Sequence, residues 1–468
     1  MTGFESTTNL VFLLVAALFV IGLHLMNSPL TARAGNLLSA GSMTVAGLTT
    51  VVVLVHDDVI KTRGVIVLAV GLGLGSAIGA WGARAVELTD MPQLVSLFNA
   101  AGGGAAALIA FADVGNRSGH VDSFTAVGVS AALDVALGVL TFSGSLVAAG
   151  KLQGMISGNP VVFPGSRLLT AVPAVVLIGC GVVLIGSGGG TALLTVMGIA
   201  ALVLGVAMVM PIGGADMPVV ISLLNACTGL AVAMTGFMLD NVLLITAGAL
   251  VGASGSILTR LMAVAMNRSL LRIIAGGFGT AGGEVAAGAA AGVRSVAADD
   301  VAIQLAYAAR VVIVPGYGLA AAQAQHEIAA LADQLTRNGV EVLYAIHPVA
   351  GRMPGHMNVL LAEANVPYDV MRDLEESNIA LPTADVALVV GANDVTNPSA
   401  RRPGSSIYGM PILDVDRARS VVVIKRSMGH GYAGIENELY ANPRTGMLFA
   451  DAKAGLTQIA AALKEMVR

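Results

Sequence analysis

Long apolar stretches separated by short polar segments recur from the N-terminus to about Met262. An α-helix needs about 20 residues to cross the hydrocarbon layer of a bilayer, and most of these stretches have that length. The pattern predicts about nine membrane-spanning helices, at 9–27, 35–55, 64–82, 92–112, 125–149, 168–186, 191–210, 217–238 and 241–262. Glycine and alanine are dense in these stretches, which favours close packing of helices in lipid.

The pattern changes after a segment rich in glycine and alanine that runs from Ile273 to Asp300. Beyond it, short β-branched runs alternate with helical segments. Strands are predicted at 310–315, 341–347, 367–372, 384–391, 412–415 and 420–425, and helices at 318–337, 356–365 and 451–467. This alternation is typical of an α/β fold with a parallel, doubly wound, Rossmann-like sheet. We therefore predict a membrane domain over 1–264, a linker over 265–298 and a soluble domain over 299–468.

The composition is that of a membrane protein, because 56% of the 468 residues are hydrophobic and only 12% are charged. A soluble globular protein is not expected to have this composition. The net charge of -4 gives no indication of nucleic-acid binding. Cys180 and Cys227 both lie in apolar spans, where packing is their expected role, and they predict neither a disulfide framework nor a metal site.

Basic residues near the ends of the spans predict the orientation of the chain. One side of the predicted bundle carries Arg33, Arg84, Lys151, Arg167, Arg260, Arg268 and Arg272. The other side carries Lys61, Arg63 and Arg117. The richer side is expected to be cytoplasmic, which places the N-terminus outside and the C-terminal domain in the cytoplasm.

The clearest chemical motif follows the first predicted strand of the soluble domain. Gly316, Gly318 and Ala321 form a G-x-G-x-x-A pattern directly after an apolar β-branched run. In dinucleotide-binding folds the first glycine forms the turn, the second lets a diphosphate approach the backbone, and the third small residue lets helix and strand pack. The helix N-terminus offers N–H groups to phosphates. The alternative is an ordinary strand-to-helix turn, since the chain contains 58 glycines.

Charges at the predicted strand ends indicate which dinucleotide is bound. An NAD site usually carries a carboxylate at the end of the second strand, whereas this strand ends in His347 and Pro348. The 2′-phosphate of NADP needs basic groups instead, and Lys425 and Arg426 follow the strongly apolar last strand. The alternative for this pair is a solvated strand end. If the pair holds the 2′-phosphate, the dinucleotide lies reversed, because the last and second strands lie on opposite sides of the switch point of the sheet.

Three further loops lie at predicted strand ends, where ligands bind in open sheets. Loop 347–355 is rich in glycine and proline and holds one basic residue, Arg352. Loop 391–397 offers amide and carboxylate groups without bulk. The glycine-rich segment 429–434 carries an aromatic residue and resembles a lid over a ligand.

A repeat lies within the membrane half. The segments 90–100 (DMPQLVSLFNA) and 216–226 (DMPVVISLLNA) are separated by 126 positions. Asp90 and Asp216 are expected to start helices. Asn99 and Asn225 lie nine residues further on, which is roughly 13 Å along a helix and near the middle of a bilayer. A functional position and a structural hydrogen bond between helices are both open for this pair.

Two titratable groups lie inside predicted spans. Asp134 is the one acid well inside a span, and His24 is the one histidine, near the end of the first helix. A proton path needs groups that titrate, which asparagine does not. Asp134 is a candidate for such a path, and the alternative is a buried, protonated packing residue.

Several segments in both halves together resemble one family. They are 212–218 (IGGADMP), 315–325 (PGYGLAAAQAQ), 347–358 (HPVAGRMPGHMN), 391–394 (GAND), 425–428 (KRSM) and 431–434 (GYAG). In combination they closely resemble the beta subunit of the proton-translocating nicotinamide nucleotide transhydrogenase. The resemblance implies a membrane domain that conducts protons and a cytoplasmic domain that binds NADP(H) reversed under a lid. It also implies hydride transfer from NADH to NADP⁺, driven by proton entry.

The resemblance implies roles for individual residues. Lys425 and Arg426 match binders of the 2′-phosphate, Tyr432 matches the lid, and Asp394 matches a residue near the nicotinamide and is the catalytic candidate. The expected cofactor-binding residues are Gly316, Tyr317, Gly318, Leu319, Ala320, Ala321, Val349, Ala350, Gly351, Arg352, Met353, Pro354, Gly355, Gly391, Ala392, Asn393, Asp394, Lys425, Arg426, Ser427, Tyr432 and Asp451. The expected proton-path residues are Asn99, Asn225, Asp216, His24 and Asp134.

The chain shows one dinucleotide fold, so a second protein must bind NAD(H). The family supplies this protein as an alpha subunit, and the expected assembly is a dimer of alpha-beta units in the inner (plasma) membrane. Certain bacterial relatives carry a histidine where this chain has Asn99, so the titrating group here is open between His24, a partner residue and a water chain. The rival interpretation is a cation channel or transporter gated by a cytoplasmic nucleotide-sensing domain. Residues 316–318 have the sequence GYG, as in a selectivity filter, but they follow a strand of the predicted soluble domain.

Overall fold

The computed structural model describes residues 3–466 except 27–28, 57–61, 118–119, 122–124, 158–160, 162–164, 214–215, 266–291, 354, 406, 430, 432 and 434. The chain divides into two compact units, residues 1–213 with 219–259 and residues 214–218 with 260–468. Most of the predicted linker lies outside the described residues, so the domain boundaries near 265 and 299 stay predictions.

Nine helices within the described part of the chain are long and apolar enough to cross a membrane. They are α1 (Gly3–Leu25), α2 (Pro29–His56), α3 (Thr62–Ala85), α4 (Met91–Asn116), α5 (Ala126–Leu152), α6 (Ser166–Ser187), α7 (Thr191–Val209), α8 (Met217–Met238) and α9 (Val242–Ala265). Each coincides with one predicted span, which confirms that prediction. A two-residue antiparallel pair, β1 (His120–Val121) and β2 (Gly189–Gly190), joins two of the connections between helices.

Small residues let the helices of this unit touch at the backbone, as the glycine content predicts. A Cβ atom added at Gly103 of α4 would lie 2.7 Å from the carbonyl oxygen of Gly138 on α5. A Cβ atom added at Gly138 would lie 2.6 Å from the carbonyl oxygen of Gly103. Contacts this close exclude a side chain at either position, so glycine is required where α4 and α5 cross.

The described residues of the C-terminal unit form seven parallel strands. They are β3 (Arg294–Ser295), β4 (Arg310–Pro315), β5 (Glu341–Ala345), β6 (Met371–Arg372), β7 (Val386–Val390), β8 (Ser420–Lys425) and β9 (Thr445–Phe449). Their order across the sheet is β3-β9-β8-β7-β4-β5-β6. Without β3 this is the doubly wound order 6-5-4-1-2-3, with a switch point between β4 and β7. The predicted α/β class is therefore confirmed.

Buried aliphatic side chains explain why the central strands form. All five residues of β7 and the four central residues of β8 are buried. Residues buried on both faces are typical of parallel strands covered by helices, and each buried valine or leucine stabilises the fold by about 1.5–3 kcal/mol. The covering helices are α10 (Ala298–Ala306), α11 (Tyr317–Ala321), α12 (Gln325–Arg337), α13 (His356–Glu363), α14 (Leu374–Ala380) and α15 (Ala452–Met466).

The structure differs from the predicted elements in several places. The strand predicted at 367–372 is a strand only at Met371–Arg372 and begins with a 3₁₀ turn, and β3, α10 and α14 were not predicted. The helix predicted at 318–337 is two helices, α11 and α12, because the chain turns at Gln323, which has a φ of +49°. The strand predicted at 412–415 is not a strand. Leu413 is buried, but it donates its N–H to Val395 O in the 3₁₀ turn Asp394–Thr396 rather than to a neighbouring strand. Strand β9 was not predicted, because its sequence TGMLF is short and has only weak β-propensity.

Candidate functional site

The switch point of the sheet forms the crevice where ligands bind in doubly wound folds. Gly316 follows β4 and Gly391 follows β7, and the two loops touch backbone to backbone. Gly316 N donates to Val390 O, and Gly318 N donates to Gly391 O, both at 2.9 Å. Gly391 has a φ of +69°, and a Cβ added at Gly318 would lie 2.6 Å from the Gly391 Cα. Contact between the two loops is therefore enough to require glycine at this turn, whether or not a ligand is bound.

The short helix α11 begins at this turn, but part of its N-terminal hydrogen-bonding capacity is already used. The N–H groups of Gly318 and Leu319 donate to the carbonyls of Gly391 and Gly316. The side chains of Leu319 and Ala320 are buried in the core, whereas Ala321 is exposed. The packing role expected for Ala321 is thus held by Ala320. A diphosphate contact at this turn stays a prediction.

Lys425 ends β8 and lies at the carboxyl edge of the sheet, half-buried. Its ammonium group donates to Gly429 O and to the Tyr440 hydroxyl at 3.4 Å, and it lies 4.8 Å from the centre of the Tyr440 ring. Burial lowers the pKa of Lys425, and the nearby carboxylate of Asp394 partly opposes this shift. Arg426 and Ser427 follow directly and are exposed. The strand end thus presents one partly desolvated cation and one solvated cation side by side.

Asn393 connects the loop after β7 to this cation. Its amide lies between the Tyr440 hydroxyl on one side and the Gly431 N–H and Lys425 ammonium on the other. The orientation that places the amide oxygen toward the two donors satisfies them at 2.7 and 3.2 Å, while the amide nitrogen donates to Tyr440 at 2.9 Å. Asn437, which is buried, donates to Asn393 O at 2.9 Å. These bonds fix the loop after β7 against the loop after β8.

Within the segment 427–435, the described residues Gly431 and Ala433 contact Asp394 in the loop after β7. Ala433 N donates to Asp394 Oδ2 at 3.0 Å. A Cβ added at Gly431 would lie 2.6 Å from Asp394 Cγ and from Asp394 Oδ2. The role of this segment as a lid stays a prediction. The predicted lid aromatic, Tyr432, lies outside the described residues, as does Pro354.

The loop after β5 is fixed by two buried histidines. His347 is 1% exposed; its Nδ1 accepts from Val349 N at 3.2 Å, so its Nε2 carries the proton and donates to Pro411 O at 2.8 Å. His356 Nδ1 accepts from Arg352 N at 3.0 Å. The Arg352 guanidinium lies 4.5 Å from the centre of the Tyr317 ring. A cation–π contact therefore joins this loop to the glycine turn.

The neutral state of His347 predicts a dependence of stability on pH. Burial lowers its pKa from 6.5 to about 4, against a smaller opposing effect of the bond to Pro411. Because the folded pKa lies below the unfolded one, the stabilisation is complete above the unfolded pKa and is lost as the pH falls through 6.5 toward 4. From about pH 8 to about pH 5.5 we expect His347 to account for a loss of about 1.4 kcal/mol in unfolding free energy.

Chemical denaturation of the fragment 292–466 at several pH values measures this loss. The fragment starts at 292 so that β3 is retained. In His347→Gln the amide can still donate to Pro411, but the side chain does not titrate. The difference between wild type and variant isolates His347, because every carboxylate and His356 are common to both. Parallel pH profiles for the two proteins would contradict the assignment.

Comparison with known proteins decides the family of the chain. A family model described as NAD(P) transhydrogenase beta subunit matches residues 8–462. Two proteins from Rhodospirillum rubrum, one of them from strain DSM 467, are each named NAD(P) transhydrogenase subunit beta. Each is 50% identical to this chain over 468 residues, covering 98% of this chain and 99% of the relative. The chain belongs to the NAD(P) transhydrogenase beta subunit family. It is thus a subunit of an oxidoreductase that uses nicotinamide nucleotides, and its partner is an alpha subunit.

The family resemblance assigned Lys425 and Asp394 to opposite ends of the nucleotide, but the structure brings them together. Both contact the lid segment, and their charges interact. Asp451 follows β9, the neighbour of β8, where Ala450 N donates to Lys425 O at 3.2 Å. Its carboxylate accepts from Lys453 N at 3.1 Å at the start of α15, and a contact with the nucleotide stays a prediction.

Two residues of the candidate site were not predicted from the sequence. Tyr440 and Asn437 both contact Asn393, 44 or more positions earlier in the chain. They lie in a segment, NELYANPRTG, that matches no binding motif. A polar pair in a short loop before the last strand is the one signal that the sequence offers.

The predicted proton-path residues lie on several helices. Asn99 is 5% exposed on α4 and donates from Nδ2 to Ile221 O on α8 at 3.4 Å, so the two repeat copies face each other there. Asn225 is half-buried on α8. Asp216, the residue directly before the start of α8, is also half-buried. Asp134 is fully buried on α5. His24 is exposed on α1, which packs against α2 and α9 through Val15, Ala46 and Leu243.

Proposed function

We propose that this subunit binds NADP(H) on its C-terminal domain and couples proton movement through its membrane helices to hydride transfer. The donor is NADH on the alpha subunit, and the acceptor is NADP⁺ on this chain. The observation that carries the proposal is a pair of cations at the end of β8, beside the switch-point crevice and under a lid segment, in a chain with nine membrane-spanning helices among its described residues.

The residues at the crevice fit the 2′-phosphate of NADP(H) better than the ribose of NAD(H). Lys425 and Arg426 supply positive charge, and the chain after β5 continues with the neutral His347 rather than a carboxylate. Strands β8 and β5 lie on opposite sides of the switch point. A 2′-phosphate at Lys425 would therefore place the adenosine toward β8 and the nicotinamide toward β4 and β5. This is the reverse of the usual arrangement.

Hydride transfer needs positioning and exclusion of water rather than an acid or base. The nicotinamide ring supplies the hydride chemistry itself. The part of this chain is to bind the phosphate groups, to hold the ring toward the partner and to cover it with the segment 427–435. Coupling then follows if protonation in the membrane helices changes the affinity for NADP(H).

The arrangement in the membrane is also part of the proposal. The basic residues near the ends of the helices favour an N-terminus outside and a C-terminal domain in the cytoplasm. The proposed location is the inner (plasma) membrane. The same proposal includes the domain boundaries 1–264, 265–298 and 299–468 and a dimer of alpha-beta units. It also includes a proton path with Asn99, Asn225, Asp216, His24 and Asp134 as candidate residues.

An equilibrium measurement on the alpha-beta complex in sealed liposomes tests this coupling. A pH difference across the membrane should shift the final ratio of NADPH to NADP⁺ at a fixed ratio of NADH to NAD⁺. The expected shift is about tenfold per pH unit for each proton coupled to one hydride. An uncoupler that abolishes the gradient should abolish the shift. A final ratio of NADPH to NADP⁺ that does not change with the pH difference would show that hydride transfer and proton movement are independent.

A further inference from the structure

Asp134 is the carboxylate most deeply buried in the membrane helices that the structure describes. It is 0% exposed, and its Oδ2 lies 2.6 Å from the Thr235 hydroxyl of α8. Its other oxygen, Oδ1, is buried and has no hydrogen-bond partner among the described residues. A buried carboxylate oxygen without a partner is costly. A role in packing alone does not explain why the chain keeps an acid here.

The contact with Thr235 accommodates both protonation states of Asp134. The Thr235 hydroxyl also lies 3.2 Å from Ala231 O. When Asp134 is ionised, the hydroxyl donates to the carboxylate. When Asp134 is protonated, the acid donates to the Thr235 oxygen, and the hydroxyl proton turns to the Ala231 carbonyl. The site can therefore accommodate either protonation state by rotation of one hydroxyl.

Further buried polar atoms continue from Asp134 along one face of α5. Thr141 Oγ1 and Ser145 Oγ are buried and lack hydrogen-bond partners among the described residues. The spacings of seven and four residues place these side chains on the same face as Asp134, over roughly 16 Å of helix. On α4, Ser96 donates to Ser145 O at 2.8 Å, and Gln93 Oε1 lacks a partner in the same described region. Buried polar atoms of this kind are the sites that internal water occupies.

The other end of the face opens to a cleft. A cavity of about 440 Å³ is lined in part by Ser130 and Met234. Ser130 lies one turn before Asp134 on α5, and Met234 precedes Thr235 on α8. Asp134 is thus placed between a cleft on one side and a series of polar side chains on the other.

We propose that Asp134, with Thr235, is the group that takes up and releases the translocated proton; the inference rests on the function proposed above. An O–H bond forms on Asp134 as the proton arrives from water in the cleft. It breaks as the proton passes to water beside Thr141 and Ser145, and no electron moves. Asn99 cannot fill this role because an amide does not titrate.

Few other titratable groups face this site from the helices that pack around it. In α4 to α8, counting Arg117 directly after α4, they are Asp113, Arg117, Lys151, Arg167, Cys180 and Cys227. Asp113 is ion-paired with Arg117 at 2.7 Å near the end of α4. Lys151 donates to Met210 O and Ile212 O at the far end of α5. Asp134 is the other carboxylate of these helices.

The backbone contact between Gly103 and Gly138 lies between Asp134 and Thr141 along α5. It separates the water that could reach Asp134 from the water that could reach Thr141. A pump must prevent protons from passing without hydride transfer, so a block directly beside the proton-binding group is what coupling requires. The proton then passes only when α4 and α5 separate.

Asp134→Asn in the alpha-beta complex in sealed liposomes tests the inference. Three rates are measured: proton uptake by an internal dye, net hydride transfer between NADPH and an NAD⁺ analogue, and hydride exchange between NADH and the analogue through NADP(H) that stays bound. We expect proton uptake and net transfer to fall together by about 100-fold, the scale of a lost proton-transfer group. The exchange through bound NADP(H) should stay within about twofold, because it needs no change in NADP(H) affinity.

Matched variants separate a proton-binding role from a structural one. Asp113→Asn removes an acid from the same bundle and should leave all three rates unchanged. Thr235→Val should lower proton uptake by about tenfold through loss of one hydrogen bond to a charged group, whereas Thr235→Ser should restore it. If Asp134→Asn does not assemble, Asp134→Glu replaces it and should keep proton uptake with a shifted pH profile.

Two results would overturn the inference. One is proton uptake in Asp134→Asn within twofold of wild type. The other is equal loss of all three rates in an assembled Asp134→Asn complex. Failure of the proposed function is distinguishable, because the wild-type complex would then transfer hydride without moving protons.

Discussion

The double variant Lys425→Ala/Arg426→Ala is expected to lose at least about 100-fold in affinity for NADP(H), since each charge-assisted bond to a phosphate contributes about 1.5–3 kcal/mol. Affinity for NAD(H) should change by no more than about twofold, because NAD(H) has no 2′-phosphate. Calorimetric titration of the fragment 292–466 with both nucleotides measures the two affinities. The expected result is therefore a loss of discrimination and not a general loss of binding.

The matched control removes two positive charges from the residues just before the other end of β8. Arg417 and Arg419 precede β8, are 57% and 80% exposed, and pair with Asp414 and Asp385. Exposed ion pairs contribute little to stability, so Arg417→Ala/Arg419→Ala should fold and bind NADP(H) as wild type does. If both double variants weaken NADP(H) equally, the effect is one of net charge. If neither does, the 2′-phosphate lies elsewhere and the reversed orientation loses its basis.

The fold was predictable where a single segment determines its own structure. Each membrane helix was found because about 20 apolar residues have no other stable arrangement in a bilayer than a helix. Strands β4, β7 and β8 were found because runs such as VVIV and VALVV are buried on both faces of a parallel sheet. The segment 412–415, which was wrongly predicted as a strand, is also apolar. Its local sequence therefore does not distinguish a buried loop from a buried strand.

The site was predictable only in part because its contacts join distant segments. The motifs located the glycine turn, the loop after β7 and the cations of β8. They did not reveal that Tyr440 lies under Lys425 or that Asn437 fixes Asn393. They also did not reveal that Gly316 and Gly318 are needed for contact with the loop at Gly391, because that contact is a property of the sheet order and not of the turn.

The substitution Gly431→Ala is expected to weaken NADP(H) binding by roughly 30-fold, which corresponds to an overpacking cost of about 2 kcal/mol. The added Cβ would lie 2.6 Å from the Asp394 carboxylate carbon, so the segment 427–435 cannot keep its position over the loop after β7. The bond from Ala433 N to Asp394 would be lost with it. Because a lid that cannot close does not retain its ligand, the loss should lie mainly in faster dissociation of NADP(H).

Gly429→Ala is the matched control within the same segment. A Cβ there would meet only the Ser427 hydroxyl, at an ordinary 3.5 Å. The same loss of glycine flexibility therefore occurs without the clash, and binding should stay within about twofold. Stopped-flow displacement of NADPH from wild type and both variants measures the dissociation rates. Tighter binding in Gly431→Ala would show that the contact with Asp394 holds the segment away from the nucleotide, since its loss would then favour the bound state. Equal effects of the two substitutions would show that glycine flexibility matters and that the contact with Asp394 does not.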